Sequence, residues 1–265
     1  MNFSDAHRFT NVDAGESPQE MVDYLDQVTR LALEGKRAGY ARLELTPGMA
    51  VLDVGCGTGD DVRLLAELVG PAGRVVGIDF SRTMIDEALK RGLPPNVEVL
   101  CASAETLPLE NGRFDAVRSE RVFQHLEHPE AAARELFRIL RPAGRAMVID
   151  QDWNTLVIAG AEPALTRTIV HAFVHHLANG SAGSNHVPML KRSGFCDVVS
   201  EPFVYQLPFA PSYALMLKTA VDHALATGAI TAAQAQGWVA DLQSADERGE
   251  FFCAFTIFSA IGRKP

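Results

Sequence analysis

Three glycines and two aspartates lie at a spacing that could bind a nucleoside. Gly55, Gly57 and Gly59 occupy alternate positions directly after a short apolar run. Asp53 lies inside that run, and Asp79 follows Gly59 by 20 residues. Glycine is needed where the backbone turns tightly and approaches a ligand, and a carboxylate at this distance can bind both hydroxyls of a ribose. The pattern therefore predicts a site for a nucleoside-containing cofactor.

Two further aspartates after the glycines narrow the choice of cofactor. A dinucleotide-binding loop has a glycine where Asp60 stands, and it leaves the helix N-terminus free for a pyrophosphate. Asp60 and Asp61 are stabilised by the helix dipole at such a position, but their carboxylates would repel a pyrophosphate. Walker-type phosphate binding is excluded because no Gly-Lys-Ser/Thr sequence follows the loop. The pattern favours a cofactor that carries a sulfonium and an ammonium group.

The elements around this loop alternate between short apolar runs and amphipathic stretches. Near-continuous apolar strands separated by helices are typical of a parallel sheet that is covered on both faces. In such a sheet the turn after the first strand lies at the ligand-binding crevice. The sequence thus predicts a doubly wound α/β fold with strands at Ala50–Val54, Val75–Asp79, Val97–Leu100, Phe114–Val117 and Ala146–Ile149.

The chain is expected to form one domain with three parts. Residues 1–46 read as helices that close over the site as a lid, and residues 47–150 as the cofactor-binding core. Residues 151–265 form the substrate-side region, in which helices over residues 211–245 are a cap rather than an independent domain. A short helix is expected at Val187–Arg192, and a late strand is expected on each side of the cap.

Residues Val51–Asp150 resemble the class I S-adenosylmethionine-dependent methyltransferases. They are particularly similar to the small-molecule branch that includes the ubiquinone/menaquinone-biosynthesis type and many antibiotic-tailoring enzymes. The resemblance implies a mostly parallel seven-stranded sheet with an antiparallel edge strand, N-terminal helices and a helical cap between the last two strands. It rests on five blocks in the family's order, which are Leu52–Gly59, Gly77–Ile85, Ala104–Pro108, Phe114–Val117 and Leu136–Gly144.

The resemblance also implies S-adenosylmethionine as the cofactor and assigns roles to single residues. One departure concerns Ser103, because relatives often have an aspartate there that accepts from the adenine amino group; an uncharged serine should bind it more weakly. The implied cofactor-binding residues are Gly55, Gly57 and Gly59 with Asp53 behind them for the methionine part, Asp79 for the ribose, Phe80 and Met84 for the adenine ring, Ser103 and Ala104 for the adenine edge, and the backbone of Ser119 for the ammonium group.

Candidates for proton transfer follow the fourth and fifth strands. Methyl transfer from a sulfonium is an in-line displacement, so a base helps only if the nucleophile must lose a proton. His125 is the best single candidate because histidine titrates near neutrality, although a packing or capping role is the more frequent one. Glu120 either acts on the substrate or pairs with Arg121, and Asp152 either contacts a cationic substrate or is a solvated loop residue.

Three histidines lie on one predicted helix, where they could form a metal site. His171 and His175 are one turn apart, and two histidines at that spacing can ligate a metal. Ala172 stands where a zinc-protease motif needs glutamate, and His176 supplies no obvious third ligand. The expectation is that the protein has no metal and that these histidines face the surface or the substrate.

Charge and composition limit the partners. Net charge is −9, from 24 Lys and Arg against 33 Asp and Glu, which argues against binding along a nucleic-acid backbone. No apolar run is long enough to cross a bilayer, and the first residues carry no secretory signal. We therefore expect a cytoplasmic protein, monomeric or homodimeric, whose partner is a small-molecule substrate.

Together with the resemblance, these patterns predict a methyltransferase of secondary metabolism that acts on oxygen or nitrogen of a small molecule. Two alternatives stay open at this stage. One is a nicotinamide-dependent oxidoreductase with a related core, and the other is a cofactor-binding protein or cyclase on the same fold. The sequence fixes neither the acceptor nor the nucleophilic atom, since fold alone does not determine substrate.

Overall fold

The computed structural model describes residues 39–265, and their centre is a mixed β-sheet. Its strands are β1 (Ala50–Val54), β2 (Arg74–Asp79), β3 (Val97–Cys101), β4 (Phe114–Glu120), β5 (Leu140–Ala159), β6 (Cys196–Gln206) and β7 (Phe252–Arg263). They form one seven-stranded sheet in the order β3-β2-β1-β4-β5-β7-β6. β1 to β5 run parallel, whereas β7 is antiparallel to both β5 and β6. The predicted fold class is confirmed.

Helices cover both faces of the sheet. They are α1 (Asp60–Val69), α2 (Arg82–Lys90), α3 (Pro129–Ile139), α4 (Pro163–His176), α5 (Ala182–Arg192), α6 (Lys218–Ala226) and α7 (Ala232–Glu247). α1 and α2 pack on one face with Tyr40 and Leu43, and α3 and α5 pack on the other. Because both faces are buried, the central strands are apolar almost without interruption; Val51 and Leu52 of β1, for example, have no exposed surface.

The fifth strand is much longer than the predicted Ala146–Ile149. β5 runs from Leu140 to Ala159 and pairs with β7 through an irregular register between Asp152 and Val157. Sequence patterning ended the strand too early because Asp150, Gln151 and Asp152 interrupt its apolar run. All three are nevertheless buried, since this part of the strand lies beneath the helices that follow it.

A second hydrophobic cluster lies beyond the carboxyl ends of the strands. α4, α6 and α7, together with the short helical turns at Phe209–Ser212 and Tyr213–Leu217, pack around Trp238, whose indole nitrogen donates to Thr166 Oγ1 at 2.9 Å. We call these helices the cap. The cap includes α4, which precedes β6, and therefore extends beyond the predicted residues 211–245.

The predicted division into lid, core and substrate-side region stays a prediction. Residues 1–38, most of the proposed lid, lie outside the described residues, and residues 39–42 are helical. α5 begins at Ala182, five residues before the predicted Val187, because Gly183 and the internal Pro188 hide the helical pattern. Within residues 39–265 no helix has the length and apolarity needed to span a membrane.

Candidate active site

The glycine loop turns directly out of β1. Gly55, Gly57 and Gly59 all have positive φ angles, of 78°, 51° and 84°, which glycine adopts without strain. The amide of Gly55 donates to the carbonyl of Ile78 at 2.6 Å and holds the loop against the end of β2. A Cβ on Gly55 would lie 2.1 Å from Cγ2 of Val122. This turn therefore requires glycine both for its backbone angles and for its packing.

The carboxylate of Asp79 is fixed beside this loop. Its Oδ2 accepts from the amide of Gly57 at 2.9 Å, and its Oδ1 accepts from the amide of Ser81 at 2.9 Å. Phe80, the next residue along, leaves 64% of its surface exposed, whereas Met84 on α2 is buried. The structure thus brings the predicted ribose residue and an exposed aromatic ring to the rim of the loop.

Two more predicted cofactor segments lie along the same edge of the sheet. The segment after β3 is anchored by the amide of Ala102, which donates to the carbonyl of Asp79 at 2.9 Å. In this segment Ala104 is buried, and Ser103 Oγ accepts from the amide of Glu105 at 3.1 Å. Ser119, near the end of β4, is fully buried, and its Oγ has no hydrogen-bond partner among residues 39–265. The individual roles of these residues stay predictions.

Behind the loop, a buried arginine joins three carboxylates. Arg118 Nη1 lies 2.9 Å from Asp53 Oδ1 and 3.2 Å from Asp61 Oδ2, and Nη2 contacts Glu120. The hydroxyl of Tyr40 donates to Asp61, and the Tyr40 ring lies 5.2 Å from the guanidinium carbon. Burial acts to lower the pKa of Arg118, but Asp61 and Glu120 raise it above its usual value. Arg118 therefore stays positively charged beneath the glycine loop. We call Arg118 and its partners the arginine cluster.

The arginine cluster bears on the electrostatic argument for a cationic cofactor. Three carboxylates share Arg118, so its single charge does not neutralise Asp53, Asp61 and Glu120. Asp60 lies 3.5 Å from Arg63 and 3.9 Å from Arg91. The two aspartates after the glycines are thus paired with arginines, but the cluster itself contains more carboxylates than arginines, as the argument for a cationic cofactor requires.

Of the three catalytic candidates, the two carboxylates already have partners. Glu120 contacts Arg118 and lies 3.6 Å from Arg121, as the alternative reading of this residue expected. Asp152 is buried, and its Oδ1 accepts from both the amide and the side-chain nitrogen of Asn154 at 2.9 Å. Asp152 is thus not a solvated loop residue. It holds Asn154 in place where the irregular pairing between β5 and β7 begins.

His125 ends a single 3₁₀ turn, Phe123–His125, that follows β4. Burial and the nearby charge of Arg121 lower its pKa to about 4. The imidazole is therefore neutral at pH 7 and has a lone pair, but it is a weak base. It remains a candidate for contacting the acceptor, with less power to remove a proton than an unperturbed histidine would have.

This low pKa predicts acid sensitivity. A histidine with a folded-state pKa near 4 and an unfolded value near 6.5 binds its proton mainly in the unfolded state between these pH values. Its contribution to stability is complete above pH 6.5 and is lost as pH falls toward 4. We expect His125→Gln to reduce the stability difference between pH 7 and pH 4.5 by about 2 kcal/mol, measured by urea unfolding at both pH values. An unchanged difference would contradict the assignment.

Asp150, Gln124 and His186 form a buried clamp that holds the 3₁₀ turn in place. Asp150 Oδ1 accepts from the amide of Gln124 at 3.2 Å, and Asp150 Oδ2 lies 3.1 Å from His186 Nε2. Burial raises the pKa of Asp150. His186, on the first turns of α5, reaches the strand because that helix packs very closely: a Cβ on Gly183 would lie 2.6 Å from the carbonyl oxygen of Asp150. Sequence reasoning missed His186.

The clamp continues into an aromatic wall. Gln124 Oε1 accepts from the indole nitrogen of Trp153 at 2.9 Å. Trp153 packs against Phe255 with ring centroids 5.3 Å apart, and Phe255 stacks on Tyr205 at 5.9 Å. Burial raises the pKa of Tyr205, and Glu120 contributes to the rise. The aromatic wall therefore lies near the end of β4, and it joins the 3₁₀ turn to the cap.

The cofactor expected from the resemblance fits these residues. The glycine backbone bears no side chains, Asp79 is held at the rim with an exposed Phe80 beside it, and Ser119 Oγ is a buried polar atom without a partner in the described part of the chain. Such a cradle can hold a nucleoside through its ribose and ring, and the methionine part through main-chain groups.

Comparisons with known proteins agree. A family model described as a methyltransferase domain matches residues 51–144. A 37.1 kDa protein of transposon Tn4556 from Streptomyces fradiae, itself uncharacterised, is 34% identical over 91% of this chain and 71% of its own length. The demethylmenaquinone methyltransferase of Lactococcus lactis is 40% identical over 42% of this chain and 45% of its own length. This chain thus matches less than half of that enzyme.

A solved structure shows the same fold. Phosphoethanolamine N-methyltransferase 2 of Haemonchus contortus, in complex with S-adenosyl-L-methionine, superposes with a TM-score of 0.56 and 20% identity over 88% of this chain and 52% of that one. The matched residues 51–144 contain the glycine loop, Asp79 and the arginine cluster except Tyr40. Residues 51–144 thus form a methyltransferase domain, as the resemblance to the class I S-adenosylmethionine-dependent methyltransferases implies, and S-adenosylmethionine is its cofactor.

Proposed function

We propose that this methyltransferase acts on an oxygen or nitrogen atom of a small organic molecule, as expected for an enzyme of secondary metabolism. The observation that carries the proposal is the aromatic wall of Trp153, Phe255 and Tyr205, which lies beneath the cap near the ends of β4 and β5. Flat aromatic side chains bind apolar or cationic parts of small ligands. A cap over the edge of the sheet favours a small acceptor over a macromolecule.

Catalysis in this site would rest on positioning. The bound cofactor supplies a methyl group on a good leaving group, so the chain mainly has to hold the acceptor in line with it and exclude water. Asp79 and the glycine loop would fix the cofactor. The clamp would fix the 3₁₀ turn, and the aromatic wall would orient the acceptor against it.

The low basicity of His125 limits which kinds of acceptor atom the site can methylate. A base with a pKa of about 4 contributes little to removing a proton from an alcohol. Glu120 and Asp152 are engaged with Arg118 and Asn154. The site therefore suits an acceptor that needs little help from a base, such as an aromatic amine, which is unprotonated at neutral pH, or an acidic phenol.

The test is release of S-adenosylhomocysteine from the purified protein with a panel of amines, phenols, alcohols and carbon nucleophiles. Turnover with an amine or a phenol would support the proposal, and turnover with a carbon nucleophile alone would overturn it. Tight binding of S-adenosylmethionine without product from any acceptor would favour the non-transferase alternative. A rise in melting temperature with NAD(P) but not with S-adenosylmethionine would favour an oxidoreductase.

Loss of the Asp79 carboxylate should weaken cofactor binding. We expect Asp79→Ala to bind S-adenosylhomocysteine at least 30-fold more weakly, because two charge-assisted hydrogen bonds to ribose hydroxyls are worth about 2 kcal/mol or more together. Isothermal titration calorimetry measures the change. Asp86→Ala is the matched control, since Asp86 is an exposed carboxylate on α2 that pairs with Arg82 at the surface. Affinity within threefold of wild type in Asp79→Ala would show that Asp79 does not hold the ribose.

A further inference from the structure

The outer face of the cap carries a pair of convergent histidines. His171 and His175 lie one turn apart on α4, and both are exposed. Their Nε2 atoms are 2.9 Å apart, and their ring centroids are 4.2 Å apart. Neither residue touches the aromatic wall or the glycine loop, so the pair lies outside the site described above.

The pair opens onto a groove of about 670 Å³ between α4 and the end of α6. Its other polar lining residues are Arg167, Thr168, His223 and Thr227, and no carboxylate from residues 39–265 lines it. The histidine pair sits near the C-terminal end of α4, and Thr227 caps the C-terminal end of α6. Helix C-termini carry partial negative charge, which offsets part of the repulsion that the Arg167 guanidinium exerts on a cation in this groove.

We propose that His171 and His175 bind one divalent transition-metal ion through their Nε2 atoms. Imidazole nitrogen is a preferred ligand of Cu²⁺, Ni²⁺ and Zn²⁺, and residues four apart on a helix present their side chains to the same point. The two Nε2 atoms are joined by a hydrogen bond in which one ring donates to the other. They are close enough for one ion to replace the shared proton, since each metal–nitrogen bond is about 2.0–2.1 Å long.

Water must complete the coordination shell. Within the described residues no group of three or more histidine, cysteine or acidic side chains is placed to hold a metal. The hydroxyl of Thr168 donates to the carbonyl of Ala164 at 3.1 Å, and His223 stacks on His176 with centroids 3.7 Å apart. A site with two protein ligands binds more weakly than a structural zinc site, and it should prefer Cu²⁺ over Ni²⁺ and Zn²⁺ in the Irving–Williams order.

Metal at this position would stabilise the cap. The ion joins two consecutive turns of α4 on its outer face. The inner face of the same turns contributes Ile169 and Phe173 to the cap core, and Phe173 packs edge-on against Trp153 at a centroid distance of 5.2 Å. An ion that binds only the helical form raises the stability of the folded protein.

The experiment uses the full chain without an affinity tag and needs no methyl acceptor. Cu²⁺ is titrated at pH 7.5, binding is measured by calorimetry, and bound Cu²⁺ is examined by electron paramagnetic resonance. We expect a micromolar site whose spectrum shows two imidazole nitrogens. His171→Ala and His175→Ala should each weaken binding at least tenfold and leave one of these nitrogens. His128→Ala, at an exposed histidine that directly precedes α3, should change affinity less than threefold.

A second measurement distinguishes binding at this histidine pair from binding elsewhere on the protein. Zn²⁺ should raise the melting temperature of wild type and of His128→Ala, but not of the His171→Ala/His175→Ala double variant. Equal binding by wild type and the double variant would overturn the proposal. So would a larger loss in His223→Ala than in His175→Ala, which would place the ion on the other helix. Binding of S-adenosylhomocysteine by every variant separates these outcomes from any failure of the proposed methyl transfer.

Discussion

Arg118→Met is expected to lower the free energy of unfolding by about 3–5 kcal/mol, because it leaves buried carboxylates without their counter-charge. Asp53 is fully buried, and Asp61 and Glu120 lie close to the same guanidinium. Methionine fills much of the arginine volume, so lost packing contributes little. Urea unfolding at pH 8 measures the loss.

The cluster provides its own controls. Arg74→Met removes an arginine whose ion pair with Glu98 is exposed, and it should cost less than about 0.5 kcal/mol. Adding Asp61→Asn to Arg118→Met should recover part of the loss, since one uncompensated charge is then removed. If Arg118→Met proves as stable as Arg74→Met, the buried charges are not what the arginine holds in place.

Asp150→Leu is the second change with a large expected effect. It removes the acceptor for the Gln124 amide and the partner of the fully buried His186. A buried donor left without an acceptor costs about 1–3 kcal/mol, and the loss of His186's partner adds to this. We therefore expect about 3 kcal/mol of lost stability, together with faster hydrogen exchange at the 3₁₀ turn.

Asp150→Asn separates the hydrogen bond from the charge. Its side-chain oxygen can still accept from Gln124, and its nitrogen can donate to His186, so stability should fall by less than about 1.5 kcal/mol. Trp153 reports on the clamp through Gln124: its fluorescence should change in Asp150→Leu and remain near wild type in Asp150→Asn. The same spectrum in both variants would mean that Asp150 does not position the turn.

The cofactor half of the site could be predicted because its chemistry is local. Gly55, Gly57 and Gly59 are needed for positive φ angles within one turn, and Asp79 follows at a spacing fixed by one helix and one strand. The loop and the carboxylate that contacts it lie within the segment Gly55–Asp79, so the sequence pattern of that segment alone predicts both. The loop's position at the carboxyl end of β1 then follows from the general rule for parallel sheets.

The partners of these residues could not be predicted in the same way. Arg118 meets Asp53 only because β4 pairs with β1, which brings together residues 65 apart in the chain. His186 was missed because the predicted start of α5 excluded it. The spacing of His186, Met189 and Leu190 on one buried helical face was the signal that could have found it.

The continuity of β5 limits how this protein could be recombined with its relatives. β5 pairs with β7 at Val148 in the core cluster and, beyond the irregular stretch between Asp152 and Val157, again at Ile158, which packs against the cap cluster. Unfolding of either cluster therefore disturbs a strand that the other also uses. Calorimetry should accordingly record one melting peak for residues 39–265. A chimaera joined near residue 150 would cut through β5. To change the choice of acceptor, a graft must exchange the second half of β5 together with the part of β7 that pairs with it.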